Sequence, residues 1–228
     1  RKLREYFNTF ILAICAGMCI GVGGTVYLMC TSKLLGAVLF SVGLLTILVF
    51  GLKLFTGMTG YLFGERSKLK YLTTLIAVWS GNFIGTFLVG LAVRNTRIAL
   101  TIIPTAQTLV ATKLEDSWYS LMILGVFCGL LMYIGVDSFK KLQDNYSALR
   151  TLMPIICVAT FILAGFEHCI ANMFMIPAGI CVLNFADAEF WRATGLVASD
   201  FAQINVVNFI INNLIPVTIG NIIGGGIM

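Results

Sequence analysis

Three ionisable side chains, Lys53, Glu167 and His168, stand inside long apolar stretches of this chain. A charge near the centre of a bilayer costs at least about 2.5–3.5 kcal/mol and marks a functional position by default. Lys53 lies in Gly51-Leu52-Lys53-Leu54-Phe55-Thr56-Gly57, and the other two lie in Gly165-Phe166-Glu167-His168-Cys169-Ile170-Ala171-Asn172. A neutral imidazole supplies one hydrogen-bond donor and an imidazolium two, and a pKa of about 6.5 lets the ring exchange protons at physiological pH. That chemistry suits a small weak-acid anion. A buried histidine is more often a satisfied core residue, but a place in a helix break opposite a second break reverses the balance. Glu167 cannot share the direction of His168 on a helix; it is expected to face away and to hold the break or a subunit contact. Lys53 has two readings, a head that reaches a carbonyl or carboxylate behind the loop and a direct contact to the anion. Lys113, in the longest outer loop, reads as a solvated charge that can also draw anions toward an outer vestibule.

The elements that position these groups follow from hydropathy. Of 228 residues 59% are hydrophobic and 11% charged, with a mean hydropathy of +0.96, whereas about a quarter of a soluble domain is charged. A spanning helix needs roughly 20 mostly apolar residues, and such stretches run over 7–30, 34–63, 71–93, 118–137, 151–183 and 205–228. The first exceeds the apolar core of a cleaved leader and is expected to be retained. The second and fifth are long enough for two half-helices with an irregular turn between them, at matching places in two three-span halves, about 1–110 and 111–228. Matching interruptions point to a midplane site in an inverted repeat, since irregular backbone at that depth must be buried or line a cavity. Half-helices restarting near Thr56 and Ala171 would aim unpaired N–H groups at the gap, a ready anion site. Each unbroken span carries one G-x-x-x-G, at Gly17/Gly21, Gly81/Gly85, Gly125/Gly129 and Gly220/Gly224, which lets helix backbones approach closely.

The net charge of +5 comes from basic residues scattered between spans, a pattern of orientation rather than of nucleic-acid binding. Arg1, Lys2, Arg4, Arg66, Lys68, Lys70, Lys140, Lys141 and Arg150 fall on one side and Lys33, Arg94, Arg97, Lys113 and Arg192 on the other. The excess places both termini in the cytoplasm. The seven cysteines lie mostly in apolar stretches without C-x-x-C spacing and read as packing residues; no metal site or cofactor is indicated. Trp118, Tyr119 and Trp191 read as an interfacial belt and Trp79 as packing. An intramembrane enzyme built on Glu167 and His168 lacks any accompanying H-E-x-x-H, nucleophile elbow or ligand set, and His168 is the only histidine. A neutral-solute aquaporin would need Asn-Pro-Ala at both breaks, and neither has it.

Gly165-Phe-Glu-His-Cys-Ile-Ala-Asn-Met-Phe-Met-Ile-Pro177, Asn208-Phe-Ile-Ile-Asn-Asn-Leu-Ile-Pro-Val-Thr-Ile-Gly-Asn-Ile-Ile-Gly-Gly-Gly226 and Leu54-Phe55-Thr56 resemble the signatures of the formate/nitrite transporter family, over essentially the whole chain. The resemblance implies an all-α integral membrane protein of six transmembrane helices with an aquaporin-like fold, broken helices 2 and 5, and a homopentamer with one pore per protomer. It implies passage of formate, nitrite or hydrosulfide across the inner (plasma) membrane. His168 looks like the family's central pore histidine and Thr56 like the threonine facing it. Phe40, Leu44, Leu54, Phe55 and Phe161 resemble the residues of two apolar constrictions, Asn172 and Asn221 the asparagines that position the broken loops and pore polar groups, and Lys113 the vestibule lysine. Lys53 departs from the Asp of formate-type and the Glu of nitrite-type members. Lys-Leu-Phe-Thr-Gly looks more like the hydrosulfide-conducting branch, which orders the anions as hydrosulfide, formate, nitrite. A proton-coupled carrier of the same anions is the rival to a channel, because it too uses inverted repeats and midplane sites.

Overall fold

The structure is a computed structural model; it describes residues 2–183 and 203–228, with the isolated positions 188, 192, 195 and 197. Trp191 lies outside the described residues. Among the described residues the regular elements are all helices, with turns and irregular loops between them. Four helices are long and apolar enough to cross a membrane: α1 (Lys2–Met29), α3 (Lys68–Arg94), α5 (Trp118–Lys141) and α8 (Val206–Gly225). In none of them is even half of the best apolar window buried, so apolar side chains such as Ile76, Phe87, Ile123 and Ile211 face outward as well as inward. A chain that is apolar on both sides is a membrane protein, because in water only the inner face would be so. α8 includes a π-helical stretch, Phe209–Leu214.

The two polar-interrupted stretches are broken helices, as expected. α2 (Lys33–Val49) stops at Phe50 and α6 (Ser147–Leu163) stops at Ala164. Both end in the same way: Gly51 (φ 65°) and Gly165 (φ 73°) turn left-handed, and their N–H groups reach the carbonyls of Leu48 and Ile162. The next N–H groups, of Leu52 and Phe166, reach back to Ile47 and Phe161. This paired bonding closes a helix end on itself, and a residue with a Cβ would be strained at the glycine.

Beyond the breaks the halves differ. α7 (Cys169–Leu183) restarts two residues before the expected Ala171, but no half-helix restarts near Thr56. The chain makes a turn and one 3-10 segment, Thr59–Leu62, because Gly57, Gly60 and Gly64 follow in quick succession and glycine disfavours a helix. A second departure is α4 (Ala99–Glu115), a 17-residue helix where an outer loop was expected.

The glycine pairs fall at helix crossings. A Cβ on Gly85 would run into the carbonyl of Ile14 on α1, and one on Gly224 into that of Val126 on α5. α3 therefore lies against α1, and α8 against α5, with backbones nearly touching. α1 leads away from the face holding the N-terminus and α5 leads back to it, so the second half is inverted relative to the first. α4, straddling residue 110, caps the opposite face.

Candidate functional site

Both broken loops are held from behind by one asparagine each. Asn82 of α3 accepts from the Phe55 N–H (2.9 Å) and donates to the carbonyls of Ala13 (2.7 Å) and Lys53 (2.9 Å). Asn221 of α8 accepts from the Cys169 N–H (2.9 Å) and donates to Gly125 and Glu167 (both 2.8 Å). The Lys53 and Glu167 N–H groups reach Leu12 of α1 and Leu124 of α5 in the same fashion. The loops thus correspond residue for residue, Lys53 with Glu167 and Leu54 with His168. Asn221 was expected from its resemblance; Asn82 was missed. The signal lay in Gly81-Asn-Phe-Ile-Gly85 and Gly220-Asn-Ile-Ile-Gly224, where the glycines bring the helix close and the intervening asparagine reaches the loop.

His168 and Thr56 meet at the centre, His168 Nε2 lying 2.9 Å from Thr56 Oγ1, both buried. The N–H of Ala171, in the first turn of α7, donates to His168 Nδ1 (3.0 Å). A neutral imidazole has one acceptor nitrogen, so the ring proton is assigned to Nε2, which donates to Thr56. The Thr56 hydroxyl hydrogen is left to turn elsewhere. Three of the N–H groups near the breaks are engaged: Ala171 on the histidine, Cys169 on Asn221 and Phe55 on Asn82. The imidazole stacks on Phe161 (centroids 5.5 Å, interplanar 19°), whose ring meets Phe40 edge to face (6.2 Å, 90°). Leu44, Leu54 and Phe55 are also buried.

Lys113 is not a solvated loop charge. It sits in the last turn of α4, and its Nζ lies 2.6 Å from Glu167 Oε1, with the two side chains 12% and 6% exposed. Two buried charges require such a partner. Glu167 Oε2 accepts from Asn172 Nδ2 (2.7 Å), which also donates to Asn213 Oδ1 (2.8 Å); Asn213 donates in turn to the Lys113 carbonyl (3.2 Å). Glu167 thus faces away from His168 and holds the break. Asn172 joins the side chain of Glu167, in the broken loop, to Asn213, and its Oδ1 is buried without a protein partner. Asn213 was not singled out from sequence. The π-helical stretch that carries it, a device common at functional sites, has no plain sequence signal.

Two cavities flank this centre. One, about 430 Å³, lies on the face opposite the N-terminus and is lined by Phe40, Phe161, His168, Asn172, Lys113 and the α4 threonines 105, 108 and 112. The other, about 750 Å³, lies on the N-terminal face and is lined by Leu54, Gly57, Lys53, Lys140, Lys141 and Arg150, among others. Lys53 thus lines a cavity rather than packing behind its loop, and of these two cavities His168 lines only the other. His168, Phe40 and Phe161 line the one cavity and Leu54, two residues before Thr56, the other. Among the described residues no group of three or more His, Cys, Asp or Glu forms a metal site.

Residues 2–228 match the model of the formate/nitrite transporter family. The chain belongs to that family. The formate channel FocA of Haemophilus influenzae is 33% identical to it, over 97% of this chain and 84% of the relative. Among solved structures, a pentameric formate channel with formate bound is similar with a TM-score of 0.90 at 33% identity, over 100% of this chain and 95% of that one. An ion channel described as of the FNT family is similar with a TM-score of 0.74 at 20% identity, over 100% and 87%; that likeness concerns the fold. The all-α broken-helix architecture is thus that of formate/nitrite transporters, whose named relatives are channels and transporters rather than enzymes.

Proposed function

We propose that each protomer forms a pore for small monovalent weak-acid anions, hydrosulfide, formate or nitrite, within a homopentamer of six-span subunits in the plasma membrane, both termini cytoplasmic. The observation that carries this reading is the 2.9 Å contact between Thr56 and His168, made where two broken loops meet between two cavities. Unoccupied, the pair satisfies itself with one hydrogen bond and holds a second hydrogen in reserve. An anion entering between them accepts both, the Nε2–H and the Thr56 O–H, which replaces part of its hydration where apolar walls have removed water. Phe40 and Phe161 form one constriction and Leu44, Leu54 and Phe55 the other. The single domain carries the whole pore.

The pentamer and the substrate class rest on the similarity to the pentameric formate channel with formate bound; the orientation rests on the excess of Lys and Arg in the loops beside the termini. Stopped-flow uptake into proteoliposomes tests the reading, with hydrosulfide, formate and nitrite compared against chloride and glycerol. Saturable flux of at least one weak-acid anion, with glycerol at the level of empty liposomes, is the expected result. Uptake of all five at that level would refute it.

A further inference from the structure

We propose that the groove between the first turns of α1 and the facing side of α3 is a binding site for one acidic glycerophospholipid, drawn from the leaflet on the N-terminal side. The groove has a volume of about 620 Å³ and is lined by Arg4, Tyr6, Phe7, Phe10 and Ala77. Its polarity is graded along the helix. Arg4 stands six residues before Phe10, about 9 Å of helical rise. The guanidinium therefore lies at the end nearest the N-terminal face, and Phe7 and Phe10 continue the groove toward the membrane interior.

α3 brings a second cation to the same end. The two helices run parallel, since a Cβ on Gly81 would meet Ala13 and one on Gly85 would meet Ile14 and Gly17. Lys70 lies two turns before Ala77 on the same side of α3, at the level of the first turns of α1. Arg4 and Lys70 are exposed, and among the described residues no carboxylate lies within ion-pair distance of either. Glu5 is turned about 100° away from Arg4 around the helix. An apolar groove that ends in unpaired cations at the membrane surface fits a ligand with phosphate at one end and hydrocarbon at the other. A guanidinium holds a phosphodiester through two parallel N–H···O bonds, and basic pockets between spanning helices on the cytoplasmic side take acidic head groups. The occupied groove also has a mechanical role. Ala77 lies five residues before Asn82, whose side chain ties α3 to Ala13 of α1 and to the first broken loop. A lipid lodged between the same two helices braces that anchor from the N-terminal side.

Phe7→Trp puts a fluorophore in the groove at a position already 63% exposed, the three native tryptophans being subtracted with the parent chain. In phosphatidylcholine vesicles, dibrominated phosphatidylglycerol quenches this emission at a lower mole fraction than dibrominated phosphatidylcholine does. Arg4→Gln and Lys70→Gln each lower that preference about 5-fold, and 1 M salt shrinks it. Ile123→Trp, exposed on α5 six residues from Trp118 at the opposite face, responds to neither substitution. In neutral detergent, added phosphatidylglycerol raises the temperature of thermal unfolding of the parent chain and not of Arg4→Gln with Lys70→Gln. Equal quenching by the two lipids at Phe7→Trp overturns the proposal, because the groove then holds only the general lipid shell. Absence of quenching by either overturns it too, since a neighbouring copy of the chain would then fill the groove. A preference indifferent to both substitutions places the lipid elsewhere, and binding without a rise in unfolding temperature overturns the bracing. No transport is measured, so the outcome is separate from that of the pore reading.

Discussion

Replacing Asn82 with alanine should loosen the first broken loop and leave the helices around it in place. The side chain is fully buried and makes three hydrogen bonds, to the Phe55 N–H and the carbonyls of Ala13 and Lys53. Ala13 lies within α1, where its carbonyl keeps a helical acceptor role. The Phe55 N–H and Lys53 carbonyl lie in irregular backbone and are left unpaired. At about 0.6 kcal/mol per bond, the average between membrane helices, the loss is about 2 kcal/mol. Two stranded backbone groups at the upper end of about 1–3 kcal/mol each raise it to about 6 kcal/mol. The higher part of that range is favoured because neither group has another partner within the fold. Unfolding by sodium dodecyl sulfate in mixed micelles measures the cost, with Asn221→Ala as the symmetry mate and Asn95→Ala as the control. Asn95 donates to Leu91 at the exposed end of α3, and its loss should cost under about 0.5 kcal/mol. Asn221→Ala should fall within about 1 kcal/mol of Asn82→Ala, since its three bonds are equivalent. A cost for Asn82→Ala no larger than that of Asn95→Ala would refute the assignment of Asn82 as the loop's anchor.

Other perturbations separate the roles of the central groups. His168→Phe removes the Nε2–H donor at the crossing and should slow anion uptake about tenfold in stopped flow; unchanged uptake would exclude His168 from the path of the anion. Thr56→Val keeps the shape but removes the acceptor for Nε2–H and the second donor to the anion, and should slow uptake about tenfold in stopped flow, by roughly the 1–3 kcal/mol of an unmet buried donor. Glu167→Gln leaves the Lys113 ammonium buried without its charge partner and should cost about 3–5 kcal/mol in mixed-micelle unfolding, while Glu167→Gln with Lys113→Met should recover most of it. Equal costs for the single and double variants would mean that the 2.6 Å pair is not what stabilises the break.

What the sequence determined by itself was local. A helix in lipid must satisfy its own backbone hydrogen bonds, so hydropathy alone located the long spans, and charged residues amid apolar ones located both breaks at Gly51 and Gly165. The G-x-x-x-G spacing named the crossings, and Gly-Asn-x-Ile-Gly, present twice, held the loop anchors in plain view. α4 was legible only through Thr101, Thr105, Thr108 and Thr112, which recur at helical spacing. Too polar to read as a span, α4 packs against α7. The tertiary structure decided everything that depends on distance between remote segments. Lys113 and Glu167 are 54 residues apart, and their pairing turns an expected attractor of anions into a neutralised strut. Spacing could place His168 in a break, but only the Ala171 N–H beneath its Nδ1 fixes which nitrogen carries the proton. Charge is written in the sequence residue by residue; whether it is cancelled depends on what the fold brings within a few ångströms.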